Sequence, residues 1–324
     1  MTARGLRILG IGFAALIVVV AAAAWFVTSE YGLRWALQRA SELAGGRLVI
    51  EEVKRTGIGA LTAGRVRYRD GDLQVEARDV VLSMSAGSLL RGRPIVHALH
   101  LGELRVDPGP GSGASAQLPH SLRSPTPFVV EALRVDRLTW IRDEQAIGAR
   151  KLALALDYDG RHYALSLRSL ETPWLAASGS MRLGADAPFP IEGRFTLLPV
   201  DARIGQVSLA LAGELTAVGI GAVGSAYGAP VEVKASLFPF HSSAAATVDV
   251  RVEGLAARAI AAAAPAARLD VLLDASIDRD GRATGRLRAL NREPGLIAAQ
   301  KLPLVSVDAR FTGCLLYTSP SPRD

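Results

Sequence analysis

Apolar and polar positions along this chain follow three regimes. Residues 8–27 (ILGIGFAALIVVVAAAAWFV) are apolar throughout and carry no charge. At about 1.5 Å rise per residue such a run crosses a hydrocarbon core of about 30 Å, which predicts a transmembrane anchor. Over 28–46 the period is helical. Ser29 is placed to cap a short amphipathic helix with Leu33, Leu37, Ala40 and Leu43 on one stripe, and Gly45-Gly46 ends it. From Leu48 the period becomes two. Leu48/Ile50, Val66/Tyr68, Leu73/Val75/Ala77 and Val80/Leu82/Met84 alternate with Arg65, Arg67, Gln74, Glu76, Arg78 and Ser83.

The same alternation returns at Leu152/Leu154/Leu156/Tyr158, Tyr163/Leu165/Leu167, Ile191/Phe195/Leu197, Val207/Leu209/Leu211, Val231/Val233, Val248/Val250/Val252 and Leu269/Val271/Leu273. Roughly eighteen strands are expected, each with one greasy and one wet face. Asp70-Gly71, Asp159-Gly160 and Asp280-Gly281 stand between such runs. Asp-Gly supplies the positive φ of a tight hairpin, so antiparallel hairpins are the expected repeat. Two interruptions stand out. Residues 108–127 are rich in Pro, Gly and Ser and read as a linker between a first β block, 47–107, and a second, 128–313; residues 255–264 are Ala-rich and closed by Pro265. The pattern allows a closed barrel, a two-sheet sandwich or an open elongated sheet. The strand-like run Val305, Val307, Ala309, Phe311 favours the extended array.

Arg4 and Arg7 precede the apolar run, which predicts residues 1–7 in the cytoplasm and the bulk of the chain exported. The rival is a cleavable signal peptide, with Ala21 to Ala24 as small residues for a peptidase, although its apolar core is normally about 7–15 residues. Residues 314–324 (CLLYTSPSPRD) resemble the in-frame translation of a transposase adapter used in sequencing libraries. On that reading the natural protein continues past Gly313, and the second block is truncated. The only cysteine belongs to this tail, so no disulfide framework or thiolate metal site is expected in the rest.

Charge changes the picture little. The net charge is +6, with 37 basic against 31 acidic residues, and arginine outnumbers lysine 33 to 4. Arg65, Arg67, Arg69, Arg78, Arg91 and Arg93 alternate with apolar residues or sit beside acids, which describes solvated strand faces and not a nucleic-acid surface. Candidate chemistry is weak. Gly219-x-Gly221-x-x-Gly224 matches a dinucleotide fingerprint, but no helix follows it, so it reads as a glycine-rich loop between strands. His97 and His100 read as strand-surface histidines without the acidic neighbours of a metal site. Asp157/Asp159 and Asp278/Asp280 coincide with hairpin turns and lack the other ligands of a calcium loop. No nucleophile elbow is present. The expectations are no enzymatic activity, no catalytic residue, no metal and no cofactor.

Several segments in order resemble the TamB family of AsmA-like proteins, in its N-terminal part. They are the anchor with GLRWAL, RLVIE to GRVRYRD, LQVEARDVVLSM with SLLRGR, LETPW with APFPIEG, and RDGR to NREPG. The resemblance implies a single-pass inner-membrane protein of a Gram-negative cell with its bulk in the periplasm. It implies an all-β fold, a long curled antiparallel-type sheet with a hydrophobic groove and few short helices. It further implies conduction of phospholipid toward the outer membrane, with acyl chains and the inner membrane as partners. The alternative is a scaffold of the translocation and assembly module, aiding outer-membrane and autotransporter protein insertion with TamA through a C-terminal region this chain lacks. The expected groove lining is Val66, Tyr68, Leu73, Val75, Leu82, Met84, Leu152, Leu154, Leu156, Leu165, Leu209 and Leu211. Ordinary core residues of a sandwich are the other reading of each.

Overall fold

A computed structural model describes residues 47–55, 60–85, 87–88, 92–109, 118, 120–142, 145–240, 244–278 and 282–314. The anchor expected at 8–27, the helix at 28–46 and all but the first residue of the adapter-like tail lie outside the described residues. Among the described residues no helix is long and apolar enough to cross a membrane. The chain divides into two compact units between Phe189 and Pro190.

The first unit holds β1 (Leu48–Glu51), β2 (Lys54–Arg55), β3 (Ala60–Asp70), β4 (Leu73–Met84), β5 (Ile95–Asp107), β6 (Phe128–Arg142), β7 (Gln145–Tyr158), β8 (His162–Glu171) and β9 (Leu175–Gly184). Both β1 and β2 pair with β3, and β3 to β9 follow in sequence order. The second unit holds β10 (Pro190–Pro199), β11 (Val207–Glu214), β12 (Ala217–Ala226), β13 (Ala229–Leu237), β14 (Ala244–Ala256), the one-turn helix α1 (Ala257–Ile260), β15 (Arg268–Asp278), β16 (Arg282–Asn291) and β17 (Ser306–Cys314). Its strands also pair in sequence order, all antiparallel.

Turn chemistry accounts for this order. Gly71 has φ +58° in the two-residue β3–β4 turn, the positive value that such a turn requires and glycine adopts without cost. Asp159 Oδ1 accepts the backbone N–H groups of Arg161 and His162, at 2.7 Å each, in the β7–β8 turn. Asp278 Oδ1 accepts the N–H of Arg282 at 2.8 Å; Asp280-Gly281 itself lies outside the described residues. One connection departs from the hairpin rule. β5 and β6 pair in parallel, and the Pro/Gly/Ser-rich 108–127 joins them. A parallel pair needs a return of about a dozen residues or more, which this segment supplies. The two strands it joins therefore lie side by side, and the boundary between compact units falls at Phe189/Pro190.

Period two also fails along one line. Ladder pairs on β3 to β7 skip Gly64, Asp79, Gly102, Asp136 and Lys151 between paired neighbours. Asp79 and Lys151 have φ +52° and +49° there. The apolar positions step by three across the line, from Ala77 to Val80, Leu101 to Leu104, Val135 to Leu138 and Ala149 to Leu152. All five strands shift together, so the apolar side chains stay on one face.

Candidate functional site

Registers turn the period-two pattern into rungs running across the strands. In the first unit Leu61, Leu82, Leu99, Leu133, Leu154 and Leu167 are successive partners from β3 to β8. A second rung is Ala63, Val80, Leu101, Val135 and Leu152, and a third is Met84, Val96, Val130, Leu156, Leu165 and Met181. These side chains fill their own face. Val80, Leu82, Met84, Val96, Leu99, Leu101, Val130, Val135 and Leu156 belong to one buried cluster, with Leu61, Val66, Leu152, Leu154 and Leu165 packed on it.

One end of that face is covered. Phe128, Tyr158 and Tyr163 form an aromatic group, with Tyr158 and Tyr163 stacked at 4.4 Å between ring centroids. The chain ahead of β6 lies over it as a strap. Leu122 N–H donates to Ala185 O at 2.8 Å, the Tyr163 hydroxyl donates to Leu122 O, and Arg123 grips Asp186 through Nε and Nη2 at 2.9 and 2.7 Å. The Arg123 guanidinium holds the Asp186 carboxyl below its ordinary value. Burial, then the neighbouring Tyr158, pushes the Tyr163 phenol up to about 12. Between an unfolded value near 10 and about 12, the folded chain keeps a proton that the unfolded chain has lost, so stability falls as pH rises through that window. Phenolate absorbance is expected to show one late-ionising tyrosine, absent in Tyr163→Phe. A wild-type curve without a late step overturns this.

The second unit presents the same kind of face with smaller side chains. Gly193, Leu211, Ile220, Ala235, Val248, Ala275, Gly285 and Phe311 form one rung over eight strands, and Phe195, Leu209, Ala222, Val233, Val250, Leu273, Leu287 and Ala309 the next. Neither rung contains a charged or polar side chain. Most members are only half-buried; Val218, Ala229, Ala246 and Asn291, at the margins of the same face, are buried.

The opposite faces are wet. In the first unit Glu51, Arg65, Arg78, Glu103, Arg137, Arg150 and Glu171 are successive partners, with ion pairs from Arg78 and Arg137 to Glu103 at 3.4 and 3.2 Å. In the second, Arg288 meets Asp274 at 3.0 Å and Arg292 meets Asp270 at 2.7 Å. Exposed pairs of this kind add little to stability, since water and salt screen them. The arginines are thus spread along solvated faces and interleaved with acids.

Ten of the twelve residues expected to line a groove share the apolar face of the first unit. Leu73, Leu82, Met84 and Leu156 are buried there, while Val66, Tyr68, Val75, Leu152, Leu154 and Leu165 are half-buried and packed on the buried clusters. Leu209 and Leu211 are half-buried in the second unit. The pattern missed the inward residues of β5 and β6, of which Val96, Leu99, Leu101 and Val135 are at most 3% exposed. The glycine fingerprint is corrected from loop to strand: Gly219, Gly221 and Gly224 lie inside β12. A Cβ on Gly224 would come within 2.9 Å of Val207 Cγ2 and 3.0 Å of Gln206 O, so a close strand contact explains that glycine. His97 and His100 each pair singly with an acid on β6, Glu131 and Asp136, at 2.9 Å.

The profile described as TamB, N-terminal domain, matches residues 18–181. No curated protein and no solved structure matches the chain. With half of its length under that profile, on an all-β scaffold of sequentially paired strands, the chain belongs to the TamB family.

Proposed function

We propose that the protein carries phospholipid acyl chains along the apolar face of its β-strands, as the inner-membrane-anchored, periplasmic end of a path toward the outer membrane. The observation that supports this most is the run of rungs without a charged side chain across eight strands of the second unit, backed by a charged opposite face. Moving an acyl chain through water costs about 0.8 kcal/mol per CH₂, and a continuous apolar surface removes that cost. The role is binding and transfer, without catalysis. In the scaffold reading with a TamA-like partner, client strands would touch strand edges and not this face.

The test is recovery of the full chain from membranes in mild detergent, followed by mass spectrometry of bound lipid. Phospholipid retained near one molecule or more per chain supports the reading. A chain free of phospholipid, with client protein bound instead, replaces it with the scaffold.

A further inference from the structure

The two apolar faces differ in whether they are already full. In the first unit the rungs are made chiefly of leucine and valine, with Met84, Met181 and one alanine, Ala63, and the face buries itself: Val96, Leu99, Leu101, Val135 and Tyr158 are 0–3% exposed. The strap around Leu122, tied by Arg123 to Asp186, covers the Phe128–Tyr158–Tyr163 end. A protein interior packed in this way has no room for a hydrocarbon chain. In the second unit glycine or alanine occupies four of the eight positions of one rung and two of the eight of the next. Such rungs do not fill themselves, and their leucines and valines stay half-buried.

The chemistry of that second face states what complements it. Protein partners are held by about one hydrogen bond per 100–200 Å² of interface, with aromatic and arginine anchors. Here the rung side chains offer no donor and no acceptor, and the backbone groups are engaged in the strand ladders. An occupant gains only by being apolar along its whole contact. The rungs run across the strands, and seven spacings of about 4.8 Å give an apolar track of about 34 Å, longer than an extended acyl chain.

We propose that the acyl-binding site of this chain is the apolar face of β10–β17 alone, and that the corresponding face of β3–β9 is a closed structural core. This rests on the lipid-carrying reading and narrows it to one unit. It also assigns Leu209 and Leu211 to the lipid surface and Leu82, Met84 and Leu156 to packing.

The experiment places a photo-reactive residue, one at a time, at Leu211, Val233 and Leu273 and at Leu82 and Leu152, in the full chain in cell membranes. Lipid adducts at the three second-unit positions, at least tenfold above those at Leu82 and Leu152, are expected. Leu152 is half-buried and accepts replacement more readily, so the comparison stands on it where the Leu82 variant fails to fold. Equal labelling of both units overturns the restriction and leaves lipid carriage intact. Labelling in the first unit alone also overturns it. Adducts to protein in place of lipid at the second-unit positions overturn the proposal together with the function on which it rests.

Discussion

Leu99→Ala is expected to lower the unfolding free energy of the first unit by about 2–5 kcal/mol, the range for deleting a fully buried leucine whose surroundings do not collapse into the void. Leu99 is 2% exposed and sits at the centre of the six-leucine rung, between Leu82 on β4 and Leu133 on β6. Its neighbours belong to strands locked in register on both sides, so they cannot move in to fill the cavity. The same truncation at Leu209, half-buried in the second unit, removes contacts without making an enclosed void and is expected to cost about 1 kcal/mol. Urea unfolding followed by the fluorescence of Trp140 and Trp174, both in the first unit, measures the Leu99 effect. A loss under about 1 kcal/mol would show that this face is open to water or to a ligand, contrary to its burial.

The physics of period two explains what the sequence made legible. Where a strand is regular, as in β8 or β11, alternate residues fall on opposite faces, and Leu165, Leu209 and Leu211 are identified from spacing alone. In β5 and β6 the apolar residues step by three, two, three and two, because the ladder is interrupted at Gly102 and Asp136 and again near His97 and Glu131. That spacing matches neither a strand nor a helix, so Leu99, Leu101, Leu133 and Val135 stayed hidden. The cue was present in composition: Gly64, Asp79, Gly102 and Asp136 are residue types that tolerate kinks. Their alignment across neighbouring strands becomes visible only once register is known.

Parallel pairing of β5 with β6 was hidden for a related reason. A segment as rich in Pro, Gly and Ser as 108–127 reads the same whether it separates two blocks or returns the chain to the edge it left. Side chains decide the matter, and they do so far away in sequence. Leu99 with Leu133 and Leu101 with Val135 are buried partners across β5 and β6, flanked by exposed pairs of His97 with Glu131, His100 with Asp136 and Arg137 with Glu103, all more than thirty residues apart. Compositional reading of the arginines succeeded, in contrast, because it needed no long-range information. In strands such as β3, β4 and β16 the arginines flank the apolar residues directly, so placing those strands in a sheet sends the arginines to the wet face.

Val250→Glu is expected to lower the phospholipid recovered with the chain by about tenfold to a hundredfold while leaving the fold in place. Val250 lies on β14 between Val233 and Leu273, in a rung with no charged member. Facing a carboxylate toward hydrocarbon costs about 2.5–3.5 kcal/mol on insertion scales, and each 1.4 kcal/mol is a factor of ten in affinity. Partial escape of the carboxylate to water lowers the effect toward the bottom of that range. Because Val250 is half-buried and not enclosed, the folded state loses only about 1 kcal/mol. Asp249→Ala, on the opposite face of the same strand, changes the charge by one unit and is expected to leave bound lipid unchanged. Lipid retained by Val250→Glu at the wild-type level would mean that the acyl chain does not lie on this face. A matching loss with Asp249→Ala would mean that the sheet as a whole, and not the apolar rung, governs binding.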